Sequence, residues 1–541
     1  MKRLATLIVA FLAALPRVAG GVEVTVKTAV PLRDSRNPKK VIGEVPAGAR
    51  FEALAVIPNW VLGTYTHDGV VLCGFIPEDA ILDQEKLADL RERYCRTVAL
   101  SATTIDEMLA LLDEKIDVAL GALLMGKEYD PSLDVPKYLA RLDRMAQEVR
   151  ARFAQETDPL KIIATLNDYL FTTRGYATLG KDQATPEHSF LHVLLDGKKG
   201  ACVSLSTLYL ALGGRLGLPL FGVCAPGHAF VRYESGGTKI NIEPTQEGAG
   251  DWDIAYAIGL GVPNTVAARS FYMRSLTKRQ FLGLLFSNLG AAHHSQAKFD
   301  EAVEACRKAL SINPNLGEAW TNLGAAYRGL GKFDEAVEAL KKALSINPND
   351  ADAWTNLGVA YHSQGKFDEA VEALKKALSI NPNLAEAWTG LGAAYHSQGK
   401  FDEAVEAHRK ALSINPNLAE AWNNLGATCG RQGKFDEAVE AHRRALAINP
   451  NYAKAWSNLG AAYGSQGKFD EEVEAYKKAL SINPNLADAW NNLVAAYGSQ
   501  GKLHEELMAY RKALSINPNL ADAWNNLAVA HYARGEYASA W

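Results

Sequence analysis

Tryptophan recurs in this chain with a fixed period. Trp320, Trp354, Trp388, Trp422, Trp456, Trp490 and Trp524 stand 34 residues apart, and Phe286 holds the same place one step earlier. Each unit reads AWxNLGxAYxxxGKFDEAVEAxxKALSINPN. Its first half carries Trp, Leu, Gly and Tyr at helical spacing, its second half Phe, Ala, Val and Leu, and Pro ends it. One such pair of helices cannot bury its apolar face alone, so neighbouring units must stack. Stacking predicts an all-α superhelix with a concave groove. Seven whole units run from 283–316 through 487–520. An eighth starts at Ala521 and reaches Trp541 early in its second helix, without a polar capping helix. Either the chain is truncated or a partner covers that end.

These units resemble the tetratricopeptide repeat closely. In that family the first helices line the groove, which implies proteins or peptides as partners. The sixth place of each repeat supplies Asn288, Asn322, Asn356, Asn424, Asn458, Asn492 and Asn526, and Gly390 interrupts the series. Such a ladder can hydrogen-bond an extended peptide backbone. The same asparagine also belongs to the generic repeat pattern, and both readings stand. Glu318, Asp352, Glu386, Glu420, Asp488 and Asp522 at the second place predict an acidic rim suited to a basic or polar peptide.

A second stretch carries the chemistry. Residues 200–245 read GACVSLSTLYLALGGRLGLPL, then CAPGHAFVRY, then INIEPT. Leu205, Leu208, Tyr209, Leu212 and Leu216 predict one face of a helix, stopped by Gly213, Gly214, Gly217 and Pro219. Cys202 then lies in the first turn, where free backbone N–H groups favour an anion, and Lys198 and Lys199 add positive charge. Both features predict a lowered thiol pKa. Gly200 is expected to allow a tight turn and room for a substrate. His228, Phe230 and Arg232 share one face of a predicted strand. Asn241 and Glu243 share a face of the next strand, across a turn through Glu234-Ser235-Gly236-Gly237. Glu243 is the expected partner of His228, with Asn241 as the substitute. A thiol, an imidazole and an acid in this order form the layout of an acyl-transfer site. The plain alternative is a small core cysteine and a structural histidine.

The motifs SFLHVLLDGKKGACVSLSTLYLALGGRLGLPLFGV, PGHAFVRY and NIEPT resemble the transglutaminase-like superfamily, of papain-type α+β fold, and within it the bacterial SirB-type branch. The likeness covers roughly 100–265. It implies Cys202 as nucleophile, His228 as base and then acid, and Glu243 as the group that orients His228. The superfamily usually has Asp where Glu243 stands. Many SirB-type members lack the cysteine, which this chain keeps.

Upstream, residues 1–20 have the marks of a signal peptide: Lys2 and Arg3, an apolar run from Leu4 to Leu15, and small residues at Val18-Ala19-Gly20. The run is too short to span a bilayer. The expectation is an exported chain, periplasmic or extracellular, with no transmembrane segment after cleavage. Residues 22–84 predict a small β-barrel from VEVTV, the stretch through Val41 and Ile42, FEALAVI, WVLGTYT and VVLCGFI. They resemble bacterial Src-homology-3-like domains, which implies a peptide or cell-wall ligand. Trp60 is equally a core residue or a ligand platform. Residues 85–270 combine a helical lead-in with the thiol domain. In the lead-in, Thr104 and Glu107 predict a capping box with Met108, Leu109, Leu112 and Ile116 behind it. Pro136 and Asp158-Pro159 predict the starts of two more helices. A connector over residues 261–278 leads to the repeats at 283–541.

The net charge is −4 over 541 residues, with no basic run, which argues against nucleic acid. The six cysteines have no metal-ligand spacing, and no cofactor is called for. Export permits disulfides. If Cys202 stays free, five cysteines remain and at least one more is unpaired. Cys73 with Cys95 is one candidate pair, and Cys306 and Cys429 fall at packing positions. The predicted architecture is therefore multidomain: β-barrel, α+β thiol domain and all-α superhelix. Two functions fit it. One is an exported cysteine hydrolase or acyltransferase acting on peptide or protein amides; the other is an inert interaction scaffold built on the repeats.

Overall fold

The computed structural model describes residues 22–25, 30–34, 41–45, 50–57, 60–67, 70–77, 102–153, 156–180, 183–248, 272–516, 518 and 521–533. The expected signal peptide, Cys95, most of the connector and the second helix of the eighth repeat lie outside these residues. So do the side chains of Cys73 and Trp60. The chain divides into two compact units, residues 1–292 with 311–314, and residues 293–310 with 315–541.

The first unit opens with six antiparallel strands: β1 (Val22–Thr25), β2 (Val30–Asp34), β3 (Val41–Val45), β4 (Arg50–Ile57), β5 (Trp60–His67) and β6 (Val70–Pro77). They pair in the order β1-β4-β5-β6-β2-β3, with β1 and β3 at the edges. Five match the expected runs. The sixth, β2, takes Arg33 and Asp34 from what the polar sequence RDSRNPKK predicts as turn; both pair with β6.

The thiol domain follows. Helix α1 (Ile105–Ala110) begins at the Thr104–Glu107 capping box, with Met108 buried behind it. It ends at Ala110, so the predicted apolar face does not continue: Leu112 is exposed, while Ile116 is buried beyond a 3-10 turn. Helix α2 (Val118–Tyr129) is capped by Asp117 and buries Val118 through Gly126. Helix α3 (Val135–Phe153) buries Val135, Tyr138, Leu142, Met145, Ala146 and Val149. Asp158 caps α4 (Pro159–Asn167) by accepting from the Leu160 N–H.

Two short parallel strands, β7 (Ala177–Thr178) and β8 (Lys199–Gly200), flank α5 (Leu191–Gly197). The central helix α6 (Cys202–Leu216) packs against α2, α3 and α5 on one side and the strand β10 (His228–Ser235) on the other. It is buried from Val203 to Gly213 on every face, not along one stripe. Gly213 and Gly214 lie inside it. Gly217, at φ 71°, is the residue that ends it. A Cβ at Gly213 would come 2.7 Å from the Leu220 side chain, so that glycine serves packing and not termination.

Strand β10 is the middle of a three-stranded antiparallel sheet with β9 (Leu220–Ala225) and β11 (Thr238–Ile242). Ser235 pairs with Thr238 around Gly236 and Gly237, at φ 57° and 83°. Two left-handed central residues match the right-handed twist of a hairpin.

The second unit is helical. Its recurring pairs are built like Gly317–Gly329 with Phe333–Ile346, and the last described helix is Ala521–Ala533. From Gly331 to Gly501 the pairs turn at a left-handed glycine, with φ between 66° and 76°. The tryptophan Nε1 donates to the carbonyl of the proline six residues earlier, as in Trp354 to Pro348 at 2.9 Å. Repeats are tied by Gln364 Nε2 to Asp334 Oδ1 at 2.7 Å and its counterparts 34 residues on.

Candidate functional site

Cys202 is the first residue of α6 and half-buried. Ala201 before it has extended backbone, and its N–H donates to the His188 carbonyl at 3.2 Å. Ser204 Oγ donates to the same carbonyl at 2.7 Å. These two bonds fix the helix start against the preceding loop. Gly200 leaves no spare room: a Cβ there would lie 2.4 Å from Ser204 Oγ. The expected space for a substrate is filled by the chain itself. Lys198 and Lys199 are exposed, so water screens their charge.

His228 opens β10, and Ser206 Oγ holds that strand to α6 through the Ala229 carbonyl at 3.2 Å. His228 Nε2 meets Glu243 Oε2 at 2.7 Å. Cys202 lies near enough to the same ring to shift its pKa. The three residues singled out from the sequence therefore come together. Burial by itself would favour the neutral ring. Its interactions with Cys202 and Glu243 outweigh burial and raise the His228 pKa to about 10.

Glu243 is 3% exposed and follows β11. Burial works against its ionised form, yet its pKa lies below the usual carboxylate value because His228 and Thr245 bond it. Thr245 donates its N–H at 2.9 Å and its hydroxyl at 2.5 Å to Oε1. Asn241 does not reach the imidazole; its Oδ1 accepts from Arg232 Nε at 2.7 Å, directly across the hairpin. Behind the site, Tyr209 donates to Asn167 Oδ1 at 2.7 Å, and Asn167 Nδ2 donates to the Gly248 carbonyl at 3.0 Å. Neither Thr245 nor Asn167 stands out in the sequence as a site residue. The only signal is that Thr245 sits two places after a carboxylate and directly after a proline, as a turn-forming hydroxyl does.

In the repeats, Asn288, Asn322, Asn356, Asn424 and Asn458 are half-buried, and Asn492 and Asn526 exposed. Several already have partners in the chain. Asn356 donates to the Asp352 carbonyl and Asn458 to Asn423 Oδ1, each at 3.0 Å. Asn492 lies beside Tyr476, and Asn526 beside Tyr510. Cys224, Cys306 and Cys429 are buried thiols. Among the described residues, no three His, Cys, Asp or Glu side chains gather as metal ligands, and no helix is long and apolar enough to cross a membrane.

The family model of the transglutaminase-like superfamily matches residues 136–281. Tetratricopeptide repeat models match 417–485, 475–508 and 496–535. The model of the cilia and flagella-associated protein 70 C-terminal domain matches 262–417 and 318–449. The UPF0162 protein of Xylella fastidiosa (strain 9a5c) is 26% identical over 215 residues, 38% of this chain and 74% of its own. The UPF0162 protein of Vibrio cholerae is 28% identical over 22% of this chain and 45% of its own. Among solved structures, MamA is 33% identical over 31% of this chain and 97% of its own, with a TM-score of 0.27. A thermophilic TPR protein of Thermus thermophilus is 25% identical over 33% of this chain and 98% of its own, with a TM-score of 0.31. The chain thus carries a transglutaminase-like domain followed by an array of tetratricopeptide repeats.

Proposed function

We propose that the thiol domain is a cysteine hydrolase or acyltransferase of the SirB-type branch, acting on peptide or protein amides. The repeats bind its substrate or a protein partner. One observation carries this reading: the buried Glu243 carboxylate bonds the His228 imidazole at 2.7 Å, and the half-buried Cys202 acts on the same ring. An imidazolium at His228 is placed to stabilise a thiolate on Cys202, the form that attacks carbonyls.

The steps follow from these roles. Cys202 Sγ forms a bond to the amide carbon, and the carbonyl electron pair moves to oxygen. The N–H of Cys202, at the helix start, is the donor that serves that oxyanion. The C–N bond then breaks as His228 gives its proton to the departing amine, leaving a thioester. Water or an amine attacks the thioester, His228 takes the proton back, and the thiolate leaves. Glu243 holds the ring in place and stabilises its charged form throughout.

The proposal includes export, from the N-terminal apolar run, and a small Src-homology-3-like barrel built from β1–β6, with a peptide or cell-wall ligand. The test of the chemistry is iodoacetamide labelling of Cys202 against pH, followed by mass spectrometry. We expect fast labelling well below the ordinary thiol pKa in the wild type, lost in His228→Ala. Slow labelling that rises only near the ordinary thiol pKa, alike in both proteins, sinks the enzyme and leaves the repeats as an interaction scaffold.

A further inference from the structure

A cavity of about 290 Å³ opens on the thiol domain, lined by Arg141, Arg144, Met145, Glu148, Arg174, Tyr176 and Lys198. Four cations and one carboxylate face it, a lining charge of +3. Two of the arginines are fixed in place. Arg141 donates through one nitrogen to Asp196 Oδ1 at 3.1 Å, and Tyr138 bonds the other oxygen of that carboxylate at 2.5 Å. Arg174 pairs with Glu148 and donates through Nε to the Tyr169 hydroxyl at 2.9 Å. Each guanidinium has five N–H donors in a flat fork, so both retain donors beyond these bonds. The exposed side chains of Arg144 and Lys198 form no ion pair with a described residue.

Lys198 adds a second observation. It closes α5 in the left-handed region at φ 59°, although Gly197 stands immediately before it and glycine is the residue that fits such a place. A lysine there costs about 1 kcal/mol of backbone strain. The strained residue points to a use for its ammonium group. Fixed guanidinium forks, two unneutralised cations and a small volume match a compact dianion better than a single carboxylate, because each fork can grip two oxygens of a tetrahedral group.

We infer that this cavity is a binding site for a phosphate-type dianion, with Arg144 and Lys198 as its unpaired cations and Arg141 and Arg174 as its fixed forks. The inference stands apart from the thiol chemistry, because none of these side chains touches Cys202, His228 or Glu243.

The test uses the full chain and inorganic phosphate as probe, titrated calorimetrically at constant ionic strength. We expect saturable binding that weakens about tenfold in Arg144→Gln, the effect of removing one charge-assisted contact. Lys198→Gly should weaken it similarly while raising the melting temperature, since it relieves the strained backbone. Acetate should bind at least about tenfold more weakly than phosphate. Absence of saturable phosphate binding, or equal binding by the Arg144→Gln/Lys198→Gly double variant, overturns the site. Acetate binding as tight as phosphate overturns the dianion assignment. Labelling of Cys202 measured on the same variants should not change, which separates this outcome from failure of the thiol reading.

Discussion

Three donors converge on the Glu243 carboxylate: His228 Nε2, the Thr245 hydroxyl and the Thr245 N–H. Glu243→Gln keeps the shape and removes the charge that favours imidazolium. The pH at which His228 loses its proton, followed by NMR of the ring, should then fall by about one unit or more, and the labelling profile of Cys202 by iodoacetamide should shift with it. An unchanged labelling profile against pH would show that Glu243 does not act through its charge. The pair also stabilises the fold over a defined range. The His228 pKa is raised, so its contribution is complete below pH 6.5 and fades as pH rises through about 10. The Glu243 pKa is lowered, so its contribution is complete above 4.5 and lost as pH falls through its lower folded value. The order of Cys202, His228 and Glu243 was legible in the sequence because each begins or follows a predictable element. The choice between Glu243 and Asn241 was not. A two-residue period puts both on one face, and only the register fixed by Gly236 and Gly237 sets Asn241 opposite Arg232.

At the scale of the element, the repeats show why small residues recur. The first helix presents Gly324, Gly358, Gly392, Gly426 and Gly460 to a large side chain of the second helix: Leu340, Leu374, His408, His442 and Tyr476. A Cβ at any of these glycines would lie within 3 Å of that side chain. Periodicity marks the position as packed, but which residue fills it varies from repeat to repeat. His408 is fully buried, and neither ring nitrogen has a protein partner; in the 2% exposed His442, Nδ1 has none. Replacing both by leucine, the residue of Leu340 and Leu374, should stabilise the array by about 1–3 kcal/mol per site, the cost of an unsatisfied buried polar group. Urea unfolding is the measurement, and a lower midpoint would refute the packing argument. The turn glycine gives a second case. In the first repeat its place is taken by Ala297, at φ 58°. Ala297→Gly should therefore stabilise the fold by about 1 kcal/mol, against the usual cost of glycine. A loss of stability in the same urea assay would contradict the strain.

For the whole molecule, the two compact units should respond to acid differently. In the second unit His293, His294, His362, His396, His408 and His442 all have lowered pKa values, chiefly through burial, and His408 and His442 fall to about 4. A histidine that resists protonation when folded stabilises fully above its ordinary pKa of 6.5. That stability is lost as pH falls toward the folded value, because the unfolded chain takes up the proton first. All six act in the same direction. In the first unit burial lowers His192, while His228 is raised to about 10 and becomes relatively more favourable to the fold as acid is added. These two oppose each other, and Glu243 stays ionised well into the acid range. Lowering the pH from about 7 to about 5 should therefore loosen the repeats before the thiol domain. Hydrogen exchange followed by mass spectrometry, corrected for intrinsic rates, should show protection falling in Phe401–Ile414 and Phe435–Ile448 while Cys202–Leu216 holds. The His408→Leu/His442→Leu chain should lose much of that acid sensitivity. Equal loss of protection in both units, or no change in the double variant, would place the acid response outside the buried histidines.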